Sequence, residues 1–252
     1  MNIAVITGAS SGLGKEYVEA VYNRYPGLDE IWVIARRKER LEELKNSLGE
    51  KIRVISADIT KDEDIHNIKT LLTENNAKIK LLINNAGFGK IGNFKDLSLE
   101  ENAGMVRLNC EALTVVTGLA LPHMEKGGKI INICSIASFA PNTRLAVYSS
   151  TKAYVMSLSR AMRDELKKDG INVLAVCPGP MDTEFLAVAN ILKGTSRTFD
   201  TLPRVKPKNV ALASLKASDK NKAVYTNHLL YKFYRVLAKV LPLSIVMKMC
   251  GA

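Results

Sequence analysis

The 252-residue chain is 47% hydrophobic and 24% charged, which supplies enough apolar side chain for a sizeable core in a single α/β domain. Its four scattered cysteines, Cys110, Cys134, Cys177 and Cys250, form no CxxC or Cys/His pair, which argues against a zinc site or a disulfide framework and suits a reducing compartment. The net charge of +11 is concentrated in residues 193–252, where twelve basic residues face only Asp200 and Asp219, a bias toward anionic partners or a solvated, solubilising surface.

Taken in chain order, short apolar runs alternate with amphipathic stretches. Ile3–Ile6, Ile31–Ala35, Ile52–Ala57, Leu81–Ile83, Lys129–Cys134 and Ile171–Cys177 have the uninterrupted character of central parallel strands covered on both faces. The first run starts without a secretory signature, so the cytoplasm is the expected compartment. Thr60 with Glu63 and Ser98 with Glu101 carry the spacing of capping boxes. The repeating βα order predicts a Rossmann-type doubly wound parallel sheet in a three-layer α/β/α arrangement, one domain over residues 1–252.

After Pro178 the pattern loosens. Residues 180–206 are expected to form an irregular or partly helical flap, followed by a helix after Pro207 and a short strand at Ala223–Thr226. His228–Ala252 is apolar and basic, broken at Pro242, and too short and charged to span a bilayer. Packing is the expectation. Lying on a membrane, covering a substrate pocket or forming a subunit contact are the alternatives.

Thr7-Gly8-Ala9-Ser10-Ser11-Gly12-Leu13-Gly14 follows the first strand and opens a helix. Glycines there let a pyrophosphate approach the backbone, and the helix amino end offers it N–H groups and positive dipole. The second strand ends in Arg36-Arg37, where an NAD-selective site would hold an acid on the ribose 2′-hydroxyl. Arginine in place of the acid favours NADP(H), with NAD(H) second; the plain alternative is that both arginines begin a solvated helix, Arg36–Leu48.

These residues resemble the short-chain dehydrogenase/reductase family from Met1 to about Thr183. TGASSGLG at 7–14 is similar to the family's nucleotide loop, and Asn84-Asn85-Ala86-Gly87 to its NNAG element. Tyr148-Ser149-Ser150-Thr151-Lys152 resembles its YxxxK motif, with Ser135 ahead of that tyrosine at the family's separation and Asn109 on the preceding long helix. Pro178-Gly179 followed by Thr183 resembles the segment that contacts the nicotinamide. The resemblance implies catalytic Asn109, Ser135, Tyr148 and Lys152. The cofactor contacts it implies are Gly8, Ser10, Ser11, Gly12, Leu13 and Gly14, then Arg36, Arg37, Asp58, Ile59, Asn85, Ala86 and Gly87, and finally Tyr148, Lys152, Pro178, Gly179 and Thr183. Among these, Asp58 would lie beside the adenine, Asn85 and Ala86 near its ribose, and Ser10 with Arg36 at the 2′-phosphate.

The chemistry of that set is coherent. A tyrosine hydroxyl can protonate a carbonyl oxygen as hydride arrives, but its reference pKa near 10 makes it reluctant, and a nearby cation eases the loss of its proton. Tyr148 and Lys152 stand four apart on one helix face. Ser135 would donate to the developing oxyanion, and the resemblance gives Asn109 the role of holding Lys152 and a proton-supplying water chain. The expected activity is therefore NADP(H)-dependent reduction of a ketone or aldehyde, or the reverse, on a small-molecule substrate that the apolar tail suggests is hydrophobic, 3-oxoacyl or steroid-like. The other readings are a non-catalytic NADP(H)-binding regulator and a membrane- or acyl-carrier-associated protein using its basic tail. The resemblance implies a homo-oligomer, dimer or tetramer. No motif supports nucleic-acid binding, and His66, His123 and His228 share no ligand spacing, so no metal is expected.

Overall fold

The computed structural model describes residues 1–190 and 201–249; the middle of the expected flap and the last three residues, including Cys250, lie outside it. Within it the uninterrupted apolar runs become strands β1 (Asn2–Thr7), β2 (Glu30–Ala35), β3 (Ile52–Ser56), β4 (Lys78–Asn84), β5 (Lys129–Ile133) and β6 (Asn172–Cys177), joined at the edge by β7 (Val224–Thr226). All pair in parallel in the order β3-β2-β1-β4-β5-β6-β7. The strands are apolar on both sides because helices cover both.

On one face, α1 (Gly12–Arg24), α2 (Lys38–Leu48) and α8 (Pro207–Asp219) close over a core containing Tyr17, Val21, Leu41, Val210 and Leu215. On the other, α3 (Asp62–Glu74) and α5 (Leu113–Ala120) bury Ile68, Leu72, Ala112 and Val116 against Trp32, Ile79 and Leu82. Here α4 (Leu99–Val106) runs through a π-turn at Arg107–Ala112 into α5, and α6 (Ala146–Glu165) lies beside them. The continuous run Leu99–His123 is long and apolar enough to cross a bilayer, yet it packs through α5 on β4 and its π-turn buries Asn109. The chain continues through the short α7 (Glu184–Val188) and ends in α9 (Leu229–Val240) and α10 (Leu243–Met249), separated at Pro242 as the sequence suggested.

Two local expectations differ. Ser98 and Glu101 form the expected capping box on α4, but Thr60 does not cap α3. Its N–H and hydroxyl both donate to Asp58 Oδ1, at 3.1 and 2.7 Å, while Lys61 occupies the N-cap and Asp62, Glu63 and Asp64 supply the negative charge that the helix start favours. The second helix begins at Lys38 rather than Arg36, so both arginines stand on the loop ahead of it.

The sheet is fastened to its helices by buried polar groups as well as by apolar ones. Asn84 and Asn132 are register partners on β4 and β5. Asn84 Nδ2 donates to Asn132 Oδ1 (2.9 Å) and to Thr117 Oγ1 (2.8 Å), and Asn132 Nδ2 donates to Ser159 Oγ on α6 (2.9 Å). With Asn132 fully buried, Asn132→Ala strips Asn84 of one partner and leaves Ser159 without its donor. The expected cost is about 1–3 kcal/mol, a fall in Tm of roughly 2–4 °C per kcal/mol for a chain of this size. Calorimetry checks it, and an unchanged Tm would remove the network from the account of stability.

Candidate active site

The strand order reverses between β1 and β4, and the loops that leave their carboxyl ends part there into a crevice. Thr7 and Asn85 stitch its base. The amides of Asn85 and Ala86 both donate to Thr7 Oγ1 at 3.1 Å, while Asn85 Nδ2 donates to the carbonyls of Thr7 (3.1 Å) and Gly8 (3.0 Å). Gly14 makes the close approach possible, since a Cβ on it would sit 2.1 Å from the Gly8 carbonyl oxygen. Ser11, the N-cap of α1, makes no side-chain capping bond, so the helix amino end is presented to the crevice with its donors intact.

A cleft of about 990 Å³ opens from this crevice. It is lined by Gly8, Ser10, Ser11, Gly12 and Leu13 of the first loop, by Arg36, Arg37, Asp58 and Ile59 beyond it, and by Asn85, Ala86 and Gly87 opposite. Ser135, Tyr148, Lys152, Pro178, Gly179 and Thr183 complete it at the other end. Of the residues singled out from sequence, only Gly14 and Asn109 stand behind the wall rather than in it, Gly14 at the loop–helix junction and Asn109 buried beneath Gly87 and Phe88.

At the arginine end, Arg37 rather than Arg36 reaches Ser10: its Nε and Nη2 donate to Ser10 Oγ at 3.3 and 3.1 Å, and Nη2 also donates to Ser11 Oγ at 2.7 Å. Its remaining arm pairs with Glu184 (2.8 Å), which Arg40 also contacts. Hydrogen bonds from these two guanidiniums hold the Glu184 carboxyl down at about 2. Burial works to raise the Asp58 carboxyl, but the two hydrogen bonds from Thr60 and the charge of Arg36 outweigh it and leave Asp58 below its ordinary value.

The opposite end holds Ser135, Tyr148 and Lys152, three of the residues that the motif resemblance makes catalytic. Ser135 ends the extended chain after β5 and caps a short 3-10 turn, its Oγ accepting from the Ala137 amide at 3.1 Å. Tyr148 and Lys152 project from the first turns of α6. Burial pushes the Tyr148 phenol up to about 12, with a hydrogen bond to Ser135 pulling the other way. Lys152 is 5% exposed; its Nζ donates to the Ile133 carbonyl at 2.8 Å and lies 5.8 Å from the centre of the Tyr148 ring. Burial lowers its pKa. Asn109 does not reach Lys152 by a hydrogen bond. It clamps the chain beside it, accepting from the Phe88 amide (3.0 Å) and donating to the Phe88 carbonyl (2.8 Å) and to Thr151 Oγ1 (3.0 Å). The π-turn that carries Asn109 is a helix irregularity often met at functional sites. Gly87 must lack a side chain here, because a Cβ would stand 2.9 Å from Asn109 Oδ1 and 3.4 Å from Lys152 Nζ.

Several participants were not anticipated. Phe88 acts through backbone contacts that carry no sequence signature, Thr7 and Thr151 stand inside the quoted motifs but were given no role there, and Glu184 meets Arg37 across 147 residues. Phe185 lies 5.7 Å from Tyr148, ring to ring, and Leu230, Phe233 and Leu237 of α9 line the same cleft. A dinucleotide fits this donor set: a glycine-floored loop and uncapped helix start for a pyrophosphate, arginines at one end, and a phenol and ammonium at the other.

Known proteins agree with that geometry. Residues 2–191 match the family model described as short chain dehydrogenase. An uncharacterized oxidoreductase of Staphylococcus aureus is 28% identical over 230 residues, 90% of this chain and 95% of that protein. A short-chain dehydrogenase from Sphingobium yanoikuyae, solved in complex with NADPH, is 30% identical and superposes with a TM-score of 0.78 over 96% of this chain and 97% of its own. A 3-ketoacyl-(acyl-carrier-protein) reductase from Brucella melitensis, complexed with NADH, is 25% identical with a TM-score of 0.77 over 90% and 96% of the two chains. The crevice at the sheet's reversal and the matched sequence say the same thing: this chain is an oxidoreductase acting on CH–OH groups with a nicotinamide nucleotide, and it belongs to the short-chain dehydrogenase/reductase family.

Proposed function

We propose that this oxidoreductase reduces a hydrophobic ketone or aldehyde with NADPH, Tyr148 donating the proton. The observation that carries the reading is the Ser135–Tyr148–Lys152 cluster, set in the wall of the nucleotide cleft with the phenol hydrogen-bonded to Ser135 and the buried ammonium behind its ring. The bound nicotinamide supplies the hydride. A carbonyl oxygen lying between Ser135 and Tyr148 would accept the serine hydrogen bond as negative charge grows on it. Tyr148 then gives up its proton to that oxygen, and the positive charge of Lys152 stabilises the phenolate left behind. The phenol's raised pKa keeps it protonated at neutral pH, the state that reduction needs. Asn109 acts as a positioning residue by fixing the Phe88 backbone against α6.

Selection of NADPH rests on Arg36 and Arg37, two guanidiniums lining the cleft at the end of β2, where the chain carries no acid for a ribose 2′-hydroxyl. The hydrophobic substrate rests on the apolar side chains at the reactive end, Phe88, Phe185, Leu230, Phe233 and Leu237.

Tyr148→Phe is expected to lower carbonyl reduction by at least the roughly 10²–10⁴ attributed to a positioned acid, with NADPH still binding; nicotinamide absorbance and fluorescence titration read the two effects. A variant as active as the parent would discard Tyr148 as the acid. Because oxidation of the alcohol needs phenolate and burial raises the phenol's pKa, the oxidative rate should climb with pH across the neutral and alkaline range, while the reductive rate stays level until the phenol begins to ionise. Paired pH profiles of the two directions check the sign. Replacing Arg36 and Arg37 together by alanine should raise KM for NADPH roughly tenfold to a hundredfold, the worth of charge-assisted hydrogen bonds, and leave KM for NADH nearly unchanged. Equal effects on both cofactors would assign the arginines to something other than the phosphate.

A further inference from the structure

Helix α9 has two apolar faces, and the domain uses one. Tyr231, Tyr234 and Ala238 turn inward: the Tyr231 ring covers Gly179, its hydroxyl donates to the Pro203 carbonyl at 2.6 Å, and Tyr234 and Ala238 pack with Ala140 and Val246. On the other side Leu229, Phe233, Val236 and Val240 recur at steps of four, three and four, a single helical stripe, and are 55–77% exposed. Leu243 and Ile245 of α10 extend the exposed apolar surface. Lys232 and Lys239, seven residues apart and exposed, run along one border of the stripe. No acidic residue follows Asp219 in the chain, whereas six lysines and arginines do. At the opposite border, Leu230, Phe233 and Leu237 line the catalytic cleft, so the outward apolar stripe is continuous with the cleft mouth.

An apolar stripe edged by lysines, on a segment without carboxylates, matches the chemistry of an anionic bilayer surface, acyl chains meeting the leucines and phosphates the ammonium groups. We propose that this face of α9 seats on an anionic lipid membrane and that the cleft mouth opens toward it, so that the substrate is a lipid-dissolved carbonyl compound taken from the bilayer. The docking stands on the helix alone; the substrate class rests on the reductase reading above.

Sedimentation with phosphatidylcholine vesicles containing phosphatidylglycerol tests the docking. The full chain should bind them, release with added salt, and bind pure phosphatidylcholine far less. Val236→Asp/Val240→Asp and Lys232→Glu/Lys239→Glu, which alter neither the cleft lining nor the inward face, should each weaken binding on the order of tenfold or more, with unchanged circular dichroism. Absence of binding, or equal binding by parent and both variants, overturns the proposal. So does a parent oligomer that Val236→Asp/Val240→Asp dissociates in the ultracentrifuge, since the face then belongs to a second copy of the chain. For the substrate, a long-chain ketone carried in the vesicles should be reduced on the order of tenfold faster by the parent than by that variant, with a short water-soluble ketone reduced equally by both. Vesicle binding with no turnover of either ketone would retire the reductase reading and the substrate claim while leaving the docking in place.

Discussion

The cleft of this chain depends on a crevice that a doubly wound parallel sheet makes where its strand order reverses. With every crossover right-handed, an open parallel sheet gets helices on both faces only if its strand order reverses, and at β1 and β4 the outgoing loops turn to opposite sides. Thr7 and Asn85 hold the base of that opening to a fixed width through four hydrogen bonds between loops far apart in sequence. Much of the cleft then follows from position: Arg36, Asp58, Asn85, Ser135 and Pro178 each stand just beyond the carboxyl end of a strand, the sheet delivers them to one edge, and α6 brings Tyr148 and Lys152 to them.

The reactive end shows what the fold must tolerate to work. An ammonium at the depth of Lys152 is disfavoured by loss of water, and of its three donors one is met by the Ile133 carbonyl. Burial raises the phenol and lowers the ammonium, so the two groups are pushed apart in proton affinity and each is driven toward its neutral form. Perturbations of this kind in a cleft are characteristic of sites that move protons. The surrounding packing is correspondingly tight: Asn109 is committed to Phe88 and Thr151, and Gly87 leaves room for no side chain.

Much of this was legible from the chain. Strands with both faces covered show as plain apolar runs, and the six found that way lie within the observed sheet; β4 proved longer than Leu81–Ile83 because Lys78 and Lys80 interrupt its outer half with charge. Local capping chemistry was half legible: Ser98 caps as its spacing suggests, whereas Thr60 has a nearer acceptor in Asp58, a competition that spacing does not reveal. Motif order placed the cleft residues, but it could not distinguish Arg36 from Arg37 as the partner of Ser10, nor show that the Asn85 side chain is spent on fastening the loops. Those choices are settled by contacts across dozens of residues, as is the meeting of Glu184 with Arg37. The outward stripe of α9 was visible only as an apolar and basic segment until the inward face was known.

The bridge between Glu184 and the two guanidiniums of Arg37 and Arg40 joins the start of α7 to the loop after β2 and the first turn of α2, across the arginine end of the cleft. A phosphate bound at Arg37 would compete for the guanidinium that Glu184 already holds. The next residue of α7, Phe185, leans on Tyr148 at the other end of the cleft. Two ends of the cleft are in this way linked through a single carboxylate and the aromatic residue that follows it.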